Sequence, residues 1–84
     1  MQLRKGTVVR SKAGHDKGRF FVVLGMEQNV VLLSDGKDRN AEHPKKKNKL
    51  HIAPTNTVLE EQTMNEDSKI SEALDRFYQR VRAT

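Results

Sequence analysis

Chemistry is sought first where glycine, histidine and carboxylate fall close together. Gly14-His15-Asp16-Lys17-Gly18 has the outline of a phosphate-gripping loop, but only three residues separate the glycines and Arg19-Phe20 follows. A P-loop needs four residues between its glycines and then Lys-Ser or Lys-Thr. Asp35-Gly36-Lys37-Asp38-Arg39-Asn40 invites a calcium reading, yet its carboxylates are misspaced and Lys46 stands where the closing glutamate belongs. It reads instead as a hairpin turn. His15, His43 and His51 are too dispersed for a local metal site, and the chain has no cysteine. Ser11, Ser34, Ser68 and Ser71 have no base at nucleophile spacing. The expectation is a protein without catalysis, metal or cofactor.

The remaining chemistry is that of cations. The chain carries 16 Lys+Arg against 11 Asp+Glu, a formal charge of +5 with a sequence pI near 9.8. Residues 1–52 hold 12 of those cations and only 5 of the acids. A basic body with a mildly acidic appendage points to an acidic polymer as partner, nucleic acid foremost. Arg10, Lys12, His15, Lys17 and Arg19 surround the glycine loop, and Lys45, Lys46, Lys47 and Asn48 form a second basic stretch. Brought to one end of a fold, the two would make a single basic face. Lysines supply point charges for phosphate, arginines a bidentate grip, and Asn48 and His51 polar contacts to sugar or base. Taken alone, a lysine run is as readily a solvated face.

Aromatics narrow the mode of recognition. Phe20 and Phe21 belong to an apolar run and Phe77 to a helix stripe, leaving Tyr78 as the aromatic expected to be exposed. With so few stacking platforms, recognition should follow the backbone and shape of folded RNA.

These residues need elements to hold them. Short β-branched or aromatic clusters separated by turns predict strands at Thr7–Ser11, Arg19–Leu24 and Val30–Leu33. A short fourth is expected near Asp38–Asn40 and a last at Leu50–Ile52, with Lys45–Lys49 as a loop. Five strands in some 50 residues imply a small barrel. The second and third strands are apolar at every position, so something must cover their outer face. Ile70, Ala73, Leu74, Phe77 and Val81 supply the stripe of an amphipathic helix. Asn65 is its expected N-cap, with Glu66 and Asp67 in the first turn and Arg80 and Arg82 in the last. The organisation read from the chain is a barrel over 1–53, a linker over 54–64 and a packed helix over 65–84.

At 84 residues and a mean hydropathy of -0.80, one thin core is the ceiling. The longest apolar run, Phe20 to Leu24, is far below the roughly 18 residues a membrane span requires. With no cysteine and no signal-like start, a cytoplasmic protein is expected, monomeric when free.

The succession Gly6-Thr7-Val8-Val9, Ala13-Gly14-His15-Asp16-Lys17-Gly18 and Phe21-Val22-Val23 resembles the KOW motif, a strand, a glycine-anchored loop and a strand. The resemblance implies an SH3-like barrel of five strands in which Gly18, with Gly14 beside it, permits the loop geometry. Asp35-Gly36-Lys37-x-Arg39, then Pro44-Lys45-Lys46-Lys47-Asn48 and His51, is similar to small bacterial KOW-domain RNA-binding proteins, relatives of KOW-containing large-subunit ribosomal proteins. It covers residues 4–53 closely and the helix loosely. It implies structured RNA as partner, above all ribosomal RNA, and adds Arg39 to the binding residues. KOW barrels of transcription elongation factors also bind proteins, so a protein-interaction module of the transcription or translation machinery is the other expectation.

Overall fold

The computed structural model describes residues 3–83; Met1, Gln2 and Thr84, the outermost positions of the expected barrel and helix segments, lie outside the described residues. Five strands, β1 (Thr7–Ser11), β2 (Phe20–Glu27), β3 (Val30–Ser34), β4 (Lys45–Asn48) and β5 (Ile52–Val58), precede one helix, α1 (Asp67–Ala83). Short 3-10 turns lie at Lys49–His51 and Thr63–Asn65. The strands form one antiparallel sheet in the order β4-β3-β2-β1-β5. The protein is thus mainly β, an open five-stranded sheet with a C-terminal helix.

The continuous apolar run of β2 is explained by burial on both faces. Phe21 and Val23 join Val9, Val31, Leu33 and Ile52 in one cluster, each at most 3% exposed. Val22, with Phe20 and Leu24 beside it, joins Val8, Met64, Ile70, Leu74 and Phe77 in another. The first cluster is drawn almost wholly from strands, so the sheet must curl around it to exclude water. The second is the contact between the sheet and α1. In β3 the alternation is one-sided: Val31 and Leu33 are buried, while Val30 and Leu32 stay half-buried outside the helix cluster. The helix therefore covers β2 and Val8 of β1, where cover over β2 and β3 was expected. A twisted sheet turns its strands away from a straight helix, and the register shift between Val23 and Gly25 adds to that.

Several boundaries differ from the sequence reading; β2, expected to end at Leu24, runs on to Glu27. The fourth strand is Lys45–Asn48, paired with Val30–Leu33, and residues 38–40 belong to a loop. Side-chain bonds hold that loop out of the sheet. Asp35 Oδ1 accepts the Lys37 and Arg39 backbone N–H groups at 2.8 and 2.9 Å, and the Ser34 hydroxyl donates to the Arg39 carbonyl at 2.6 Å. The last strand, expected at Leu50–Ile52, begins only at Ile52, since Leu50 and His51 lie in a 3-10 turn, and it runs on to Val58, because an edge strand tolerates Pro54. At the helix start Asn65 sits in a 3-10 turn, and extended Glu66 takes the cap position, its carbonyl accepting from Lys69 and Ile70.

Helix α1 is fastened to the loop as well as to the sheet. Gly36 has φ 74°, and a Cβ there would overlap the Asp67 carbonyl and the Ser71 N–H. Asp67 Oδ1 accepts the Ala41 N–H at 3.0 Å. Farther along, the Tyr78 hydroxyl accepts the Phe20 N–H at 2.8 Å, and Phe20 meets Phe77 and Tyr78 edge-on at 4.9 and 5.1 Å between centroids. Among the described residues no helix is long and apolar enough to cross a membrane.

Candidate functional site

Two loops meet at one end of the sheet. The β1–β2 loop closes with the Ser11 N–H donating to the Arg19 carbonyl at 2.9 Å and the Gly18 N–H to the Ser11 carbonyl at 2.9 Å. Gly14 and Gly18 take φ values of 84° and 89°, so the conformation expected of Gly18 is present. Turning this tightly, the loop drives Asp16 inward until it is only 6% exposed.

Asp16 is the electrostatic centre of this end. Its Oδ1 accepts from the Ser11 hydroxyl at 2.7 Å and from Lys47 Nζ at 2.8 Å. Lys45 Nζ stands 2.8 Å from Oδ2 at an angle that makes an ion pair and no hydrogen bond. Burial pushes the Asp16 carboxyl upward, but Lys45, Lys47 and the Ser11 hydroxyl outweigh it and hold the group well below the usual carboxylate range. Lys47 also donates to the Ala13 carbonyl at 2.9 Å.

The triple lysine is therefore divided by the two-residue period of a strand. Lys45 and Lys47 face inward with Leu33 and Val31, their paired neighbours, and neutralise Asp16; Lys46 faces outward beside Leu32 and is exposed. One continuous basic face over Lys45–Asn48 does not form. Asn48 is outward-facing too, and its Oδ1 accepts the Leu50 N–H at 2.9 Å, capping the 3-10 turn.

The opposing wall comes from the β3–β4 loop. Arg19 pairs with Asp35 Oδ2 at 3.1 Å while its guanidinium lies 5.8 Å over the Phe21 ring. Between the loops is a cleft of about 230 Å³ lined by His15, Arg19, Arg39 and Lys45 together with Asp16, Asp35, Asp38 and Phe21. Lys12 and Lys17 are exposed on the first loop, and neither has a carboxylate partner among the described residues. Lys12 donates its backbone N–H to the carbonyl of exposed His51 at 2.8 Å, bringing the 3-10 turn alongside. Arg10 lies apart on β1, on the side of the sheet that carries α1.

So the fold gathers His15, Arg19, Arg39 and Lys45 around one cleft, with Lys12, Lys17 and His51 near it. It sends Arg10, Lys46 and Asn48 elsewhere. Tyr78, expected to be exposed, is half-buried and bonded to Phe20. The acids were the residues missed: Asp16 and Asp35 supply the partners that decide which cations remain free, and Asp38 lines the cleft beside them. The available signal was Asp16 itself, a lone carboxylate between two glycines in a basic stretch. Among the described residues no group of three His, Cys, Asp or Glu is placed to hold a metal ion.

No protein-family model matches the chain, and a search of curated proteins finds no significant match.

Proposed function

We propose that this chain is a non-catalytic RNA-binding domain of the KOW type, an SH3-like barrel braced by its C-terminal helix, that contacts structured RNA, ribosomal RNA first, through its two-loop end. The fold part is supported by the curled five-stranded sheet, by the positive φ of Gly18, and by the 3-10 turn that joins the two edge strands. That turn is tied at both ends, with the Lys49 N–H donating to the Asn29 carbonyl and the Lys12 N–H to the His51 carbonyl, each at 2.8 Å.

One observation carries the functional part. Asp16 and Asp35 are engaged by inward ion pairs, while Lys12, Lys17 and Arg39 at the same end stay exposed with no carboxylate partner. Unneutralised cations on rigid loops favour a polyanion, whose binding releases counterions. A protein partner is the second reading, favoured by Leu50, which is 73% exposed on the 3-10 turn.

The test is a fluorescence titration of structured ribosomal RNA fragments at several salt concentrations with the wild type and Lys12→Ala/Lys17→Ala. If the two lysines meet phosphates, the slope of log affinity against log salt should flatten by about 1.5–2, with melting unchanged. Equal slopes would remove these lysines from the interface. Absence of binding by the wild type would overturn the RNA reading and promote the protein partner.

A further inference from the structure

The cleft between the loops differs in character from the exposed lysines beside it. We propose that it receives an unstacked guanine base presented by a bulge or loop of the bound RNA; this deepens the RNA-binding reading and rests on it. The charges lining the cleft argue against a phosphate. Lys45 and Arg19 are already paired with Asp16 and Asp35, and Asp38 lines the cleft as well, so an anion would meet three carboxylates. A neutral group rich in N–H donors fits where an anion does not.

Asp38 selects among the bases. It is exposed and lines the cleft, and its carboxylate has no hydrogen-bond partner among the described residues. A carboxylate accepts two parallel N–H donors. Of the four bases only guanine offers two adjacent donors, N1–H and the N2 amino group, on its pairing edge; adenine, cytosine and uracil each set an acceptor beside their donor. The arginines supply the stacking surface. Arg19 already lies over Phe21 at 5.8 Å, and Arg39 lines the same space with its guanidinium unpaired. Guanidinium planes stack on unstacked bases in RNA recognition. About 230 Å³ accommodates a purine ring, and Lys12 and Lys17 are close on the first loop to take the flanking phosphates.

The experiment compares three hairpin RNAs, alike except for a single bulged guanine, a single bulged adenine or no bulge, against the full chain. The guanine bulge should bind on the order of tenfold tighter than the adenine bulge, the discrimination one bidentate contact gives. Asp38→Asn should abolish that ratio. Since losing a negative charge strengthens all three complexes together, the ratio is the readout, and Glu42→Gln, the same charge change on the same loop, should preserve it. In parallel, guanosine monophosphate should shift the backbone amide resonances of His15, Asp38 and Arg39 in the labelled protein, and ribose 5-phosphate should leave them in place. Equal affinity for all three hairpins, with salt-dependent binding intact, overturns the cleft proposal alone. So does an unchanged ratio in Asp38→Asn, or equal shifts with ribose 5-phosphate. If no hairpin binds, the RNA reading falls with it.

Discussion

Two glycines of like conformation should respond differently to alanine. Gly18 has positive φ, but a Cβ there would meet nothing within 4 Å. Gly18→Ala therefore bears only the left-handed conformational cost, about 1–2 kcal/mol. Gly36 adds a collision with the backbone of α1, so Gly36→Ala should cost roughly 2–5 kcal/mol. Denaturant melts of the two variants check the order, and equal midpoints would show that the helix gives way freely. Asp16 yields a pH prediction with a definite sign. Its folded pKa lies below the ordinary 3.8, so the unfolded chain takes up the proton first. The stability it contributes is complete above about pH 5 and is lost as pH falls through 4 toward the depressed folded value. Asp16→Asn should cost roughly 2–4 kcal/mol at neutral pH, since it strips two lysines of their partner. Its melting should also vary less between pH 5 and 3 than that of the wild type. At this scale the sequence was half legible. The glycine loop announced its geometry, whereas a run of lysines reveals nothing about which of them meets a carboxylate distant in the chain.

Among the elements, β2 and α1 were the readable ones, because apolar periodicity records burial directly. Strand β4 was not. Its alternation lies in the surroundings of Lys45, Lys46 and Lys47, not in their residue type, and the turn chemistry at Asp35 drew the expected strand to residues that side-chain bonds hold in a loop. Pro54 likewise ended β5 too early on paper, since only the sheet order makes β5 an edge. The helix prediction follows from its packing. Leu74 is 3% exposed in the cluster that holds Val22 and has Phe20 packed against it, and Leu74→Ala should cost about 2–5 kcal/mol. Tyr78→Phe, which takes the acceptor away from the Phe20 N–H, should cost about 1–2 kcal/mol. Both variants, folded at low temperature, should keep the wild-type salt slope with RNA, because neither residue lines the two-loop cleft; a changed slope would mean that α1 itself touches the ligand.

For the molecule as a whole, the sheet serves two cores, with β1 and β2 each contributing to both. Its curled face is completed by residues no later than Ile52, whereas its outer face waits for Met64, Ile70, Leu74 and Phe77. Translated into the order of synthesis, this partition becomes a timetable. As the chain leaves a translating ribosome, the inner cluster can close while Val8, Phe20 and Val22 are still bare, and they stay bare until some 25 further residues have emerged. A nascent-chain force measurement should accordingly register two separate pulls, the first when Ile52 clears the tunnel and the second when Phe77 does. Leu74→Ala should weaken only the second. In that interval the half-finished sheet offers an apolar strip to any neighbour, so slowing translation beyond codon 53 should raise aggregation, and supplying residues 59–83 as a separate peptide should suppress it.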